Sequence, residues 1–246
     1  MKDNFSSQAK LYAQFRPSYP QVFFDFLLPL VKNKNCVWDC ATGNGQVASI
    51  LADSFEKVYA TDISQKQLDN AVQKANIIYK LEPAEQTSFA NDIFDLITVG
   101  QAAHWFDFEK FYAEVIRVLR PGGVIAIFGY AFMRFNDNMD KVIGDFYSGN
   151  LDGYWDDERK YVDEDYKTIP FPFDEIKVPA FTSVYEWNVE QLIGYLSTWS
   201  AVQHYIKRNG NNPVDDVEKK IKSAWGSSVK KKVIFPIIAK VGRRNS

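Results

Sequence analysis

Residues 37–45 read VWDCATGNG, an apolar run that ends in Asp39 and continues into a loop containing two glycines. A second apolar run, VYATD, ends at Asp62, seventeen residues after Gly45. Glycine lets the backbone approach a ligand closely, and the helix that follows such a loop directs its first N–H groups toward it. An acid at the end of the next strand is placed to accept both hydroxyls of a ribose. The spacing therefore predicts a nucleoside-cofactor site at the edge of a parallel sheet.

Two classes of cofactor are compatible with the loop. Residues 43–48 satisfy the G-x-G-x-x-G/A dinucleotide pattern, with Asp62 at about the expected ~20-residue distance. The carboxylate of Asp39 disfavours a dinucleotide, because it would repel the pyrophosphate bound at this loop. S-adenosylmethionine carries an ammonium and a sulfonium and no phosphate, so Asp39 and the nearby Glu85 would favour it. The charges indicate S-adenosylmethionine, and a nicotinamide or flavin oxidoreductase is the alternative.

Five segments in this order resemble the class I S-adenosylmethionine-dependent methyltransferases: VWDCATGNG, VYATDIS, LEPAEQTSF, FDLITVGQAAHWFD and LRPGGVIAIFGY. They lie between about residues 36 and 130. The flanking segments YAQFRPSYP and LIGYLSTWSAV resemble the type 11 small-molecule methyltransferases related to trans-aconitate methyltransferase, and extend the resemblance over nearly the whole chain. One departure is Ala41, which stands where the family has its first loop glycine. Alanine is small enough to leave cofactor binding intact.

The pattern of elements predicts the fold. Strands and helices alternate up to residue 130, which indicates an α/β protein with an open parallel sheet. The resemblance implies a Rossmann-like, seven-stranded, mostly parallel sheet with helices on both faces and an antiparallel last strand. Residues 131–180 are rich in aromatic and acidic side chains and lack the βα period, so we expect an aromatic cap insertion of short helices and loops. We expect a single methyltransferase domain over residues 1–246, in which residues 1–21 form an N-terminal lid.

Several local features are also predicted. Ser64 and Asp107 are residue types that favour the N-cap of the helices that follow them. Residues 189–208 are expected to form one long helix. The segment KVIFPIIAKV closes the sheet, and its Pro236 indicates an edge position or a bulge, because proline cannot donate a ladder hydrogen bond.

The resemblance implies how the cofactor would be held. Asp62 would bind the ribose hydroxyls and Ile63 would pack against the adenine, while Ala84 and Glu85 would contact the adenine by backbone N–H and side chain. Gln101 would lie near the methionine part and the methyl group. The N-terminal segment folds over the cofactor in the family. The complete expected cofactor-binding set is Asp39, Ala41, Gly43, Gly45, Asp62, Ile63, Ala84, Glu85, Gln101, Tyr12 and Arg16.

The loop after the fourth strand contains the candidate catalytic residue, His104. Ligands gather at this end of a parallel sheet, so His104 is expected to face the nucleophile of the substrate; the alternative is a hydrogen-bonded loop residue. Methyl transfer from a sulfonium demands alignment and exclusion of water. A carboxylate acceptor needs no base, whereas a phenol, thiol or amine would need His104 to remove its proton. The expected substrate-binding residues are Trp105, Tyr19, Tyr195, Trp199 and Ser200. Core packing is the alternative role for Tyr195, Trp199 and Ser200, and a packed leader segment is the alternative for Tyr19.

Composition limits the remaining classes. The net charge of −2 and the pI of about 5.8 give no electrostatic case for nucleic acid. The apolar run at residues 22–31 is short and interrupted by Asp25 and Pro29, so it cannot span a bilayer. Cys36 and Cys40 are ~13 Å apart on one extended strand, beyond the ~7 Å that a disulfide tolerates. We expect a cytoplasmic monomer or homodimer that binds no metal, nucleic acid or membrane.

The sequence thus predicts methyl transfer from S-adenosylmethionine to a small molecule, with a carboxylate oxygen as the first candidate acceptor. The alternatives are the nucleotide-dependent oxidoreductase and a protein that binds S-adenosylmethionine without catalysis.

Overall fold

A computed structural model of the chain describes residues 15–245. Its centre is a sheet with the order β3-β2-β1-β4-β5-β8, in which β6 and β7 pair with the outer edge of β8. The strands are β1 (Cys36–Cys40), β2 (Lys57–Asp62), β3 (Ile77–Leu81), β4 (Phe94–Gly100), β5 (Leu119–Tyr130), β6 (Asp174–Ile176), β7 (Phe181–Trp187) and β8 (Lys231–Arg243).

The sheet is seven strands wide, although it contains eight strands. The short β6 pairs with residues 241–243 of β8 and β7 pairs with residues 231–237, so the two share one sheet position end to end. Among the described strands β8 alone runs in the direction opposite to all the others. The mostly parallel, Rossmann-like sheet is therefore confirmed, and β6 is a strand that the sequence did not predict.

Helices cover both faces of the sheet. The helices are α1 (Gln21–Leu27), α2 (Gln46–Leu51), α3 (Gln65–Asp69), α4 (Phe108–Val118), α5 (Asp137–Asp145), α6 (Lys160–Asp163), α7 (Val189–Ser197), α8 (Ser200–Asn209) and α9 (Pro213–Trp225). Ile97 and Ile125 pack with α4, whereas the alternate residues Leu96 and Val124 pack with α1 and α2 on the opposite face.

Both predicted N-caps are confirmed. The hydroxyl of Ser64 accepts a hydrogen bond from the backbone N–H of Gln67, and the carboxylate of Asp107 accepts one from the N–H of Lys110. Each side chain satisfies a donor that the first turn of its helix leaves open. The caps fix where α3 and α4 begin, directly beside the loops that follow β2 and β4.

The residues after β5 form a third hydrophobic core, in addition to the two that lie on the two faces of the sheet. Residues 131–180 contain α5, a π-helical turn (Phe146–Asn150), a 3₁₀ turn (Asp157–Arg159), α6 and β6. Side chains from α5, the π-helical turn, α7, α8 and α9 pack together there, with Trp199 and Phe235 among the buried aromatic residues. This packing places the insertion above the end of β5.

In this region the prediction of one long helix is wrong, and so is the edge position that was one of the two alternatives for Pro236. The expected helix over residues 189–208 is broken, because Trp199 has an extended backbone (φ −68°, ψ 138°) between α7 and α8. Pro236 lies in an inner strand, not at an edge. The carbonyl of Pro236 accepts the N–H of Ala131, which lies just beyond the last β5–β8 pair, Tyr130 and Ile237. Because the paired part of β5 has already ended there, the N–H that proline lacks is not needed for a β5–β8 hydrogen bond.

No helix within residues 15–245 combines the length and the apolar character that crossing a membrane would require.

Candidate functional site

The loops after β1, β2 and β4 border an open cleft, whose space including the part open to solvent is about 850 Å³. Parallel strands deliver their carboxyl ends to the same edge of a sheet, which is where ligands bind in open α/β folds. The wall residues are Arg16, Pro17, Tyr19, Ala41, Thr42, Gly43, Asn44, Gln46, Val47, Asp62, Ile63, Ser64, Gln67, Gly100, Gln101, Ala102, Trp105 and Tyr130.

Asp39 supports this cleft from below and is not part of its wall. Its side chain is only 1% exposed and accepts hydrogen bonds from the hydroxyls of Thr42 and Thr98 and from the N–H of Ala48 (3.0 Å). Burial removes water from the carboxylate and raises its pKa to about 6, against the hydrogen bonds that favour the ionised form. The predicted acid is thus present, and it ties the loop to β4 and α2.

The loop itself requires unusual backbone angles. Ala41, Gly43 and Gly45 have φ values of 52°, 57° and 78°. A Cβ at position 45 would lie 2.3 Å from the hydroxyl oxygen of Tyr79, whereas a Cβ at position 43 would meet no protein atom within 4 Å. Gly45 is therefore required by its neighbour as well as by its φ, and Ala41 adopts the left-handed conformation that the family assigns to glycine.

Asp62 lines the cleft in a fixed orientation. One carboxylate oxygen accepts the N–H of Gly43 and the other accepts the N–H of Ser64, each at 2.9 Å. The neighbouring Ile63 lies on the same wall. The two backbone donors set the direction of the carboxylate, so the predicted ribose acceptor stands in the cleft beside an apolar surface.

Gln67 is a wall residue that the sequence analysis missed. It is 4% exposed, and its side-chain oxygen has no hydrogen-bond partner within residues 15–245. A buried amide oxygen without a donor is costly, so this position fits a ligand that brings an N–H or O–H group. No motif marks Gln67 in the sequence, since it is simply the third residue after a helix cap.

Besides Asp39, three of the predicted cofactor residues that the structure describes are not found on the wall. Ala84 is 2% exposed and packs in the core, and a Glu85 oxygen accepts the N–H of Asp107 at 3.3 Å. Gly45 lies behind the wall as the N-cap residue of α2. Tyr12 lies outside the described residues.

Gln101 and Arg16 connect the cleft to the end of β5. The side-chain oxygen of Gln101 accepts the N–H of Tyr130 at 2.7 Å, and Gln101 itself has a φ of 56°. The guanidinium of Arg16 donates to the hydroxyl of Tyr130 (2.9 Å) and to the carbonyl of Thr198 (3.0 Å), and lies 5.3 Å from the ring centre of Tyr195. Arg16 thereby joins the N-terminal segment to the sheet and to the turn between α7 and α8.

A second cavity of about 420 Å³ adjoins the cleft, with Arg16, Gln101 and Trp105 in both walls. It is built from segments far apart in the sequence. Its walls consist of Arg16, Gln101, His104, Trp105, Trp155, Arg159, Trp199 and Ser200.

His104 lies in the wall of this second cavity and is 6% exposed. One of its ring nitrogens, Nδ1, is 3.2 Å from the hydroxyl of Tyr166. Burial, together with the positive charges of Arg159 and Arg16, lowers the pKa of the ring to about 3. The ring is therefore neutral at physiological pH.

The predicted substrate residues divide between the two cavities. Trp105 lies in both walls, Tyr19 in the cleft, and Trp199 and Ser200 in the second cavity. Tyr195 is 5% exposed and packs among Trp187, Trp199 and Phe235, behind the wall. The sequence analysis did not identify Arg159 and Trp155, which lie in the acid-rich part of the insertion where no motif distinguishes them.

Within residues 15–245, no group of three or more His, Cys, Asp or Glu side chains is arranged to hold a metal ion.

Comparison with known proteins identifies the family. Residues 38–127 match the family model of the methyltransferase domain. Over 243 residues the chain is 32% identical to a protein described as a methyltransferase of Dictyostelium discoideum, covering 96% of this chain and 92% of that protein. A solved structure described as a type II methyltransferase of Anaeromyxobacter dehalogenans is 35% identical and superimposes with a TM-score of 0.85, covering 94% of this chain and all of that one.

A more distant structure shares the fold. A phosphoethanolamine N-methyltransferase of Haemonchus contortus, solved with S-adenosylmethionine, is 15% identical with a TM-score of 0.50, covering 98% of this chain and 57% of that one. The matches confirm the methyltransferase fold and S-adenosylmethionine as the cofactor, and the oxidoreductase alternative is wrong. The relationship to the trans-aconitate group stays a prediction. This chain belongs to the class I S-adenosylmethionine-dependent methyltransferases.

Proposed function

We propose that this methyltransferase acts on a small molecule bound in the second cavity and transfers the methyl group to a carboxylate oxygen. The observation that carries the proposal is the composition of that cavity. It adjoins the cofactor cleft across Gln101 and Trp105, and its described walls contain two guanidinium groups, one neutral histidine and no acid. Such a wall attracts an acceptor that arrives as an anion.

The residues of the cleft fit the cofactor. Asp62 would accept the ribose hydroxyls, Gln67 would accept one further donor of the ligand, and the loop around Gly43 would let the ligand approach the backbone. When bound, the cofactor supplies a methyl group on a sulfonium, which leaves as a neutral thioether. The protein must then hold the acceptor in line with that methyl group and exclude water.

The state of His104 supports a carboxylate over a protonated acceptor. A ring whose pKa is about 3 is a weak base, so it would contribute little to the removal of a proton from a phenol or an amine. A carboxylate is already ionised at neutral pH and needs no such help. We assign His104 a role in positioning the acceptor by a hydrogen bond, with the Tyr166 hydroxyl holding the ring in place.

We also propose that residues 1–21 act as a lid. The support comes from Arg16 and Tyr19, which line the cleft while their segment is fixed to the sheet through Tyr130 and Phe128. Closure over the ligands would protect the backbone amides of this segment, so hydrogen exchange at residues 15–19 should slow when S-adenosylhomocysteine binds. Equal exchange rates with and without it would contradict the lid role.

The chemical stability of the product tests the proposed acceptor. Wild-type protein is incubated with S-adenosylmethionine labelled in the methyl group and with separate panels of carboxylic acids, phenols and amines. A methyl ester releases labelled methanol in mild base, whereas an aryl methyl ether or an N-methyl group does not. We expect base-labile label with acids only, and base-stable label would contradict the carboxylate assignment. Samples without acceptor control for spontaneous methyl loss.

A further inference from the structure

Arg159 presents charged donors to the second cavity. It ends the 3₁₀ turn of the insertion, and its Nε donates both to the hydroxyl of Tyr147 and to a carboxylate oxygen of Asp163, each at 3.1 Å. Its two Nη atoms have no hydrogen-bond partner within residues 15–245, and the side chain is 22% exposed. A guanidinium edge whose donors have no protein acceptor can donate two parallel hydrogen bonds to an anion, so this edge is suited to a carboxylate.

The surroundings of Arg159 leave that edge positive. Its ion-pair partner, Asp163, lies on the Nε side and is 43% exposed, and no acid occurs among the described wall residues of the cavity. The second guanidinium, that of Arg16, already directs Nη1 to the Tyr130 hydroxyl and Nη2 to the Thr198 carbonyl. Arg159 is thus a wall residue whose terminal Nη donors have no acceptor among the described residues.

The guanidinium is also held in one plane. Its central carbon lies 5.1 Å from the ring centre of Trp155 and 5.6 Å from that of Tyr147. The Trp155 indole N–H donates to the Tyr147 carbonyl at 3.1 Å, which fixes the two rings relative to each other. A guanidinium fork that is already oriented loses little freedom when it binds a carboxylate with two parallel hydrogen bonds.

We propose that Arg159 is the specificity-determining residue of the acceptor site. Its two Nη groups bind a carboxylate of the acceptor, while the apolar body of the acceptor packs against Trp155 and Trp199. The acceptor class is therefore a compact carboxylic acid with an apolar body. This inference rests on the proposed function and deepens it. Arg159 lines only the second cavity, so its role in recognition is separable from cofactor binding.

Tryptophan fluorescence gives a readout that does not depend on turnover, because Trp105, Trp155 and Trp199 line the cavity. Wild-type protein saturated with S-adenosylhomocysteine is titrated with benzoate, cinnamate and adipate, and with the uncharged amide of each. We expect at least one acid to change the fluorescence with saturation, and its amide to bind at least about tenfold more weakly, the loss typical of a charge-assisted pair.

Arg159→Gln should weaken binding of that acid by about 10- to 100-fold and remove the preference for the acid over the amide. Arg159→Lys keeps the charge without the fork and should give an intermediate loss. Arg208→Gln is the matched control, because Arg208 stacks on Tyr154 and is not a wall residue. An unchanged affinity for S-adenosylhomocysteine shows that each variant is folded with its cleft intact.

The inference is overturned if no acid binds to the wild-type protein, if acids and amides bind equally, or if Arg159→Gln retains the affinity for acids. If Arg159→Gln does not fold, the affinities of Arg159→Lys for the acid and for its amide are compared instead. An acid affinity equal to that of the wild type would then overturn the inference. Failure of the proposed function has a different signature. In that case Arg159-dependent binding of acids persists, but the label transferred by the wild-type enzyme is stable to base.

Discussion

The cofactor cleft and the second cavity are built in opposite ways. The cleft is formed by short loops, each directly after a strand, and backbone N–H groups orient its functional carboxylate, Asp62. The second cavity brings together His104, Arg159 and Trp199 from the sheet edge, the insertion and the α7–α8 break. The cleft therefore depends on local geometry that a short motif can encode. The cavity depends on how the insertion packs against the sheet edge, which no short motif encodes.

The largest effect is expected at the cleft. Asp62→Ala should weaken S-adenosylmethionine binding by ~2–4 kcal/mol, because two charge-assisted hydrogen bonds to the ribose are lost. Isothermal titration calorimetry measures this directly. Asp53→Ala is a suitable control, since Asp53 is 74% exposed and pairs with Lys74 outside the cleft. If a folded Asp62→Ala protein binds S-adenosylmethionine as tightly as the wild type, Asp62 does not hold the cofactor, and the claim that a local motif determines the cleft is contradicted.

Asp39 gives a second test of the cleft through pH. In the folded protein the pKa of Asp39 is about 6, above the ordinary aspartate value of 3.8, so the protonated carboxyl favours the folded state. This contribution to the free energy of unfolding is fully present below about pH 4 and is lost as the pH rises through 6. The asparagine side chain of the Asp39→Asn variant cannot titrate in this way, so the variant should not lose this contribution. The free energy of unfolding of the variant, measured relative to that of the wild type, should therefore rise by about 2–3 kcal/mol from pH 4 to pH 7. Urea unfolding at both pH values is the measurement, and a pH-independent difference would exclude the shifted pKa.

The two loop glycines test whether the shape of the loop depends only on its own residues or also on a neighbouring strand. Gly43→Ala should cost about 1 kcal/mol of stability, the strain of a positive φ in a residue with a Cβ. Gly45→Ala should cost about 1–3 kcal/mol, because the added Cβ also meets the Tyr79 hydroxyl. Equal losses in thermal unfolding would show that Tyr79 moves aside freely. Since Tyr79 lies on β3, a larger loss at Gly45 would show that even the motif relies on a neighbouring strand.

The smallest effect is expected in the second cavity. With a carboxylate acceptor, His104→Gln should lower turnover by less than about tenfold and leave the pH profile between 5 and 8 unchanged, because the ring is neutral throughout that range. His204→Gln is the matched control, since the His204 ring contacts the Tyr154 carbonyl outside the cavity. A loss of ~10²–10⁴-fold would instead identify His104 as a general base.

Features that depend on local interactions could be predicted from the sequence, and features that depend on contacts between distant segments could not. The helix caps at Ser64 and Asp107 follow from interactions within a few residues, and both are confirmed. The break at Trp199 and the inner position of Pro236 depend on contacts with distant segments, and neither was predicted.

The candidate site shows the same contrast. Wall positions such as Gly43, Asp62 and Gln101 can be located from strand ends. Arg159 cannot be located in this way, because an arginine surrounded by acidic residues is typical of a solvent-exposed segment. Only the packing of the insertion places it in the wall of the second cavity.

The wall shared by the two cavities has a consequence for inhibitor chemistry. Arg16, Gln101 and Trp105 border both spaces, so only side chains separate a ligand of one from a ligand of the other. A single compound that joins an adenosine group to a carboxylic acid by a short linker would meet its second site at a high effective concentration once the first is filled. It would also lose its rigid-body freedom once, where two separate ligands lose it twice. Its adenosine part would be common to many methyltransferases, and its acid part would direct it to this one.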